Sequence, residues 1–106
     1  MSQGVRGIDG YDNPIGFFQI NASGTGPFGI NATTLGAPVP TGIAYVLIQP
    51  AVNAITWRDD GVAATTTVGM NLNAGDTLRY TGLLSQFSFI KVSGSPLVNI
   101  SFYGKK

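Results

Sequence analysis

The sequence predicts an all-β fold: an antiparallel β-sandwich of jelly-roll-like connectivity, preceded by an extended glycine-rich N-terminal arm. Three observations predict it. From Thr41 onward, short apolar–polar alternations recur roughly every ten residues, as expected for strands with one buried and one wet face separated by turns. No segment sustains a helical period, and all five acids are aspartate, whereas exposed helix faces favour glutamate. Eight of the 15 glycines and four of the six prolines fall in the first forty residues, which gives that part turn and extended chemistry.

The elements follow in order. Residues 1–37 read as the arm, and 38–106 as the sandwich domain. "MSQGVRGIDGYDNP" has no period. "IGFFQINASGTGPFGINATTLG" holds two short apolar runs, Ile15 to Ile20 and Phe28 to Ile30, joined by "SGTGP", a pattern that fits a short hairpin within the arm. Pro38 and Pro40 cannot donate to a central ladder and mark a connector. Strands are then expected at Ile43 to Gln49, stopped by Pro50, and at Asn53 to Arg58, with Ile55 and Trp57 sharing a face. Others are expected at Thr65 to Met70, Asp76 to Thr81, Phe87 to Val92 and Leu97 to Tyr103. The last alternates most cleanly, with Val98, Ile100 and Phe102 opposite Asn99 and Ser101.

Composition narrows the function. A chain of 106 residues is one domain with one modest core. Charged residues are 10% against 43% hydrophobic, so folding is expected, not disorder. Net charge is +1 and the only basic cluster is Lys105-Lys106, so no nucleic-acid partner is expected. No apolar run approaches the roughly 20 residues of a membrane span, and the start lacks the charge-then-apolar pattern of a secretory leader, so neither membrane insertion nor export is expected. Cysteine and histidine are absent. Their absence removes Ser-His and Cys-His nucleophile pairs and most transition-metal sites, so no enzyme activity, metal or cofactor is expected.

"TWRDDG" (Thr56 to Gly61) holds the one adjacent carboxylate pair. Asp-Asp-Gly suits a loop tip, because aspartate caps nearby amides and glycine accepts positive φ. A glycosidase would need two acids facing each other across a substrate, which neighbours on a turn seldom do. A calcium loop needs many more oxygens than "RDDGVAATTTVG" offers. Arg58 is the local charge partner of the aspartates, and Trp57 belongs to the core.

The ordered pattern Ile48-Gln49, Trp57 to Gly61, Val68 to Met70, Ala74 to Tyr80, Phe87 to Ile90 and Phe102-Tyr103 resembles a group of small tailed-phage and prophage virion accessory proteins, head-decoration-like. The resemblance covers roughly the last sixty residues and leaves the first forty aside. It implies a virion location and a structural role. A capsid decoration or cement protein would bind the major capsid protein and copies of itself, as a homo-oligomer on the particle. The expected arm contacts are Ile15, Phe17, Phe18, Ile20, Phe28 and Ile30, which could add to a neighbour's sheet or complete this chain's own sandwich. Arg58, Asp59, Asp60 and Asp76 are expected at the rim of the contact. The competing expectation is a carbohydrate- or receptor-binding sandwich of a tail or baseplate.

Overall fold

A computed structural model describes residues 12–105. Seven strands form two antiparallel sheets. β1 (Asp12–Asn21), β7 (Leu97–Lys105), β2 (Ile43–Pro50) and β5 (Leu78–Tyr80) lie in that order in a four-stranded sheet. β4 (Met70–Leu72), β3 (Ile55–Arg58) and β6 (Ser88–Lys91) make a three-stranded sheet. An isolated antiparallel bridge from Phe28 to Phe89 flanks the free side of β6. The predicted all-β class therefore holds, with two antiparallel sheets facing each other over one core.

Register explains which residues meet. On the inner face of the larger sheet, Phe18, Ile100, Ile48 and Leu78 stand in one row, and Gly16, Phe102, Val46 and Tyr80 in the next. From the smaller sheet, Ile55 and Phe89 reach into the same space. Ile48, Ile55, Phe89, Val98, Ile100 and Phe102 are wholly buried. Each such side chain stabilises the fold by about 1.5–3 kcal/mol relative to exposure. Phe18 meets Phe102 edge-on at 5.7 Å, a favourable ring geometry.

The expected N-terminal arm is corrected over residues 12–37. β1 pairs with β7 from Asp12 to Asn21 and is part of the sandwich. Residues 1–11 of the expected arm lie outside the described residues. The hairpin reading is corrected too: Ile15 to Ile20 belong to the larger sheet, whereas Phe28 joins the smaller one. The reason is hydrophobic. Ile20 at the end of β1, with Ala22 and Ile30 after it, is buried in the same core as the residues of both sheets.

Three local differences have local causes. A single helical turn, α1 (Ala32–Leu35), was not expected. Asn31 caps it by accepting from the Thr34 amide at 3.0 Å, while the Thr34 hydroxyl accepts from the Asn31 amide at 3.1 Å. The strand expected at Thr65 to Met70 shrinks to Met70–Leu72, because Thr65 and Val68 close a turn through Thr65 N to Val68 O at 3.2 Å and Val68 N to Thr65 Oγ1 at 3.0 Å. β7 runs on to Lys105, two residues beyond the expected end.

Candidate rim at the end of strand β3

β3 ends at Arg58, and the chain then turns through Asp59, Asp60 and Gly61. Gly61 has φ of +81°, which glycine adopts without steric cost. The two aspartates diverge. Arg58 Nε donates to Asp60 Oδ1 at 2.8 Å and Nη2 to Oδ2 at 2.5 Å, a two-pronged pair. That pair holds the Asp60 carboxyl at about 2, with a further contribution from the Val62 amide. Asp59 instead accepts from the Tyr80 hydroxyl at 3.1 Å, and Tyr80 lies within 3.2 Å of the Leu83 carbonyl. Burial, then the Asp59 bond, push the Tyr80 phenol up to about 12.

Beneath this loop lies an aromatic ladder between the sheets. Trp57 stacks on Phe87 at 5.2 Å and meets Tyr80 edge-on at 6.3 Å. Tyr80 meets Phe87 at 5.0 Å, Phe87 meets Phe89 at 6.2 Å, and Phe89 meets Phe28 at 5.7 Å. Trp57 is half-buried in this stack, so its ring packs inward.

Loop 62–69 then crosses the outer side of the smaller sheet. Ala64 N donates to Ser88 Oγ at 3.0 Å, and Ala64 is buried. Gly69, with φ of +145°, lies so close to β3 that a Cβ would sit 2.6 Å from Thr56 Cγ2 and 2.8 Å from the Trp57 carbonyl oxygen. This loop covers Thr56, the one buried polar side chain among the described residues. Beside the exposed Thr65, Thr66 and Thr67, the apolar Val62, Val68 and Met70 are exposed, and so is Leu83 at 70% on the loop that Tyr80 ties to Asp59.

Of the residues expected at the rim, Arg58, Asp59 and Asp60 are together here, and Asp76 is not. Asp76 lies in the turn before β5, at the opposite end of that strand from Tyr80, where its amide donates to Asn73 O at 3.0 Å. Of the six apolar residues expected to contact a partner, Ile20 and Ile30 are buried, and Ile15, Phe18 and Phe28 pack against the core. Phe17 alone is exposed, at 64%. The exposed loop residues Val62, Val68, Met70 and Leu83 were not singled out in the sequence. The signal was present in "GVAATTTVGM", where apolar residues follow a turn without strict alternation. Among the described residues, no group of three or more acids, cysteines or histidines could hold a metal ion.

A second concave place lies on the outer face of the larger sheet. Phe17, Ser101, Leu47 and Arg79 form a row across β1, β7, β2 and β5. Beside it, Gln19 donates to Asn99 at 2.9 Å and Gln49 to Thr77 at 3.2 Å. Phe17, Leu47, Gln49, Thr77, Asn99 and Ser101 line a groove of about 190 Å³. At its end, the Arg79 guanidinium lies 4.1 Å over the Tyr45 ring, which stacks on Tyr103 at 4.9 Å.

Against known proteins, the chain matches no family, no curated protein and no solved structure.

Proposed function

We propose that this chain is a structural accessory subunit of a tailed-phage virion, a capsid decoration or cement protein that holds shell subunits through surface contacts. The observation that carries this reading is that four apolar residues on segments tied to β3 and its Arg58–Asp60 turn, Val62, Val68, Met70 and Leu83, are exposed. The rim sits on loops that are locked in place. The Asp59–Tyr80–Leu83 bonds and the Ala64–Ser88 bond fix them to the aromatic ladder. A preformed apolar surface with a charged edge suits docking on a protein surface, since little ordering is needed on binding. The major capsid protein is the proposed occupant. Repetition over a symmetric shell turns modest single contacts into net stabilisation by mass action and avidity.

The jelly-roll reading is supported by strand order. Counting the Phe28 bridge as a residual strand puts four strands in each layer, β1-β7-β2-β5 against Phe28-β6-β3-β4. Such double-sheet rolls serve in viral capsids and in lectins alike, so the fold leaves the choice to the surface.

The outer-face groove favours a second reading, a carbohydrate-binding module. Its lining is uncharged, and the amide and hydroxyl groups of Gln49, Asn99, Thr77 and Ser101 accompany the exposed Phe17 ring. The test separates the two. Virion shells stripped of the chain are titrated with the purified protein and with the variant Val62→Asp/Leu83→Asp. Saturable binding weakened tenfold or more in the variant is the expected result. Unchanged binding, or saturable binding to a glycan array instead of shells, overturns the decoration role.

A further inference from the structure

Among the described residues no strand pairs with β1 on the side away from β7, and the geometry of that edge can be worked out from one hydrogen bond. Ala22 N donates to Pro96 O at 2.9 Å, one position beyond the Asn21–Leu97 pair that ends the β1–β7 register. Antiparallel ladders alternate between bonded and non-bonded pairs. Ile20 and Phe18 therefore direct their backbone groups at β7, and Phe17, Gln19 and Asn21 direct theirs away from it. No backbone bond reaches that outer side from any other described residue.

Natural sheets guard such edges with charge, proline, bulges or shortness. β1 carries Pro14 and a bulge between Pro14 and Gly16 in its first half. From Phe17 to Asn21 it carries no charge, no proline and no glycine. The other sheet edges do not match its length: β4 and β5 have three residues each, and β6 has four and is flanked by Phe28. Among the described edge strands, the one long enough to cover β1 is another β1.

We propose that β1 is a self-pairing edge: two copies of the chain join β1 to β1, antiparallel about a two-fold axis through Gln19, so that their larger sheets become one continuous sheet. This register sets Phe17 of each copy against Asn21 of the other, and Gln19 against Gln19. Every outward N–H and C=O of the three residues then finds a partner, clear of the bulge. No charged side chain lies between residues 13 and 21, so the two-fold brings no like charges together. Phe17, the exposed ring of β1, is half covered by the neighbouring strand. This inference rests on the assembly role proposed above and supplies its contact between copies.

The chain contains no cysteine, so one introduced at the two-fold reports on that contact alone. Bonded antiparallel pairs hold their Cα atoms about 5.5 Å apart, within disulfide reach. The full chain carrying Gln19→Cys is expected to form an intermolecular disulfide under mild oxidation, while a Val52→Cys control stays monomeric. By sedimentation, the unmodified chain is expected to run as a dimer at high micromolar concentration. Gln19→Pro removes an outward N–H and spares the β7 bonds; Gln19→Lys sets two like charges directly opposite each other at the axis. Both are expected to give monomers with unchanged circular dichroism. A monomeric unmodified chain whose Gln19→Cys variant forms no cross-link, or a dimer that survives both substitutions, overturns the proposal. A monomer that still binds shells sinks the pairing and spares the decoration role; a dimer that ignores shells does the reverse.

Discussion

Tyr80 joins three parts of the molecule. Its ring packs with Trp57 and Phe87 between the sheets, and its hydroxyl ties the Asp59 loop to the Leu83 loop. Tyr80→Phe is expected to cost about 1 kcal/mol in denaturant unfolding, the usual net value of such a bond. The phenol also sets a pH limit. Raised from 10.0 to about 12 in the folded state, it contributes stability that is present below pH 10 and lost as pH rises through 12. The urea midpoint should therefore fall between those values, and Tyr80→Phe should flatten the fall. Asp60 acts with the opposite sign. Its carboxyl, lowered from 3.8 to about 2, contributes stability above pH 3.8 that is lost as pH falls toward 2, and Asp60→Asn should remove that part of the acid limb. Burial separates Ile20 from Phe17, three residues apart on one strand. Ile20→Ala is expected to cost about 2–5 kcal/mol, whereas Phe17→Ala in the monomer should lie within about 0.5 kcal/mol of unchanged.

At the scale of elements, alternation made the sandwich strands legible. Val98, Ile100 and Phe102 are buried as their spacing predicts, and Pro50 ends β2. The failures share one cause: a short segment's role was set by contacts distant in sequence. "TTTVGM" looks like a strand, yet Gly69 must pass within van der Waals distance of β3, which a strand with side chains there could not do. Likeness of sequence does not fix a role either: in both "INAS" and "INAT" the asparagine caps a nearby amide, Ser23 for Asn21 and Thr34 for Asn31. One opens a loop and the other a helical turn, because Ile20 ends a paired strand and Ile30 does not. Gly69→Ala should destabilise by about 1–3 kcal/mol, since it combines a strained φ with a clash, and should expose the Val68 loop to proteolysis. Asn31→Ala should cost about 1 kcal/mol, measured by thermal unfolding.

The whole molecule turns on where the first forty residues go. Composition marks them as unlike the rest, and that contrast suggested an arm reaching outward. The contrast has a different origin. β1 is a sheet edge, and residues 22–42 carry the chain across the open side between the layers, so turns and prolines belong there. Removing residues 1–36 takes away β1, Ile20 and Ile30, and is expected to abolish cooperative unfolding by calorimetry instead of merely weakening a contact. Part of the ordered sequence pattern acquires a physical meaning. Trp57, Asp59, Tyr80 and Phe87, far apart in sequence, form one bonded and stacked cluster at the end of β3. The cluster lies under the proposed docking surface, to which Val68 and Met70 of the pattern contribute together with Val62 and Leu83 outside it. Quantitative mass spectrometry of virions purified from the source that encodes this chain tests the central claim most directly. A decoration role predicts the chain in a fixed, symmetry-related ratio to the major capsid protein; its absence from virions, or its presence in only a few copies, would contradict it.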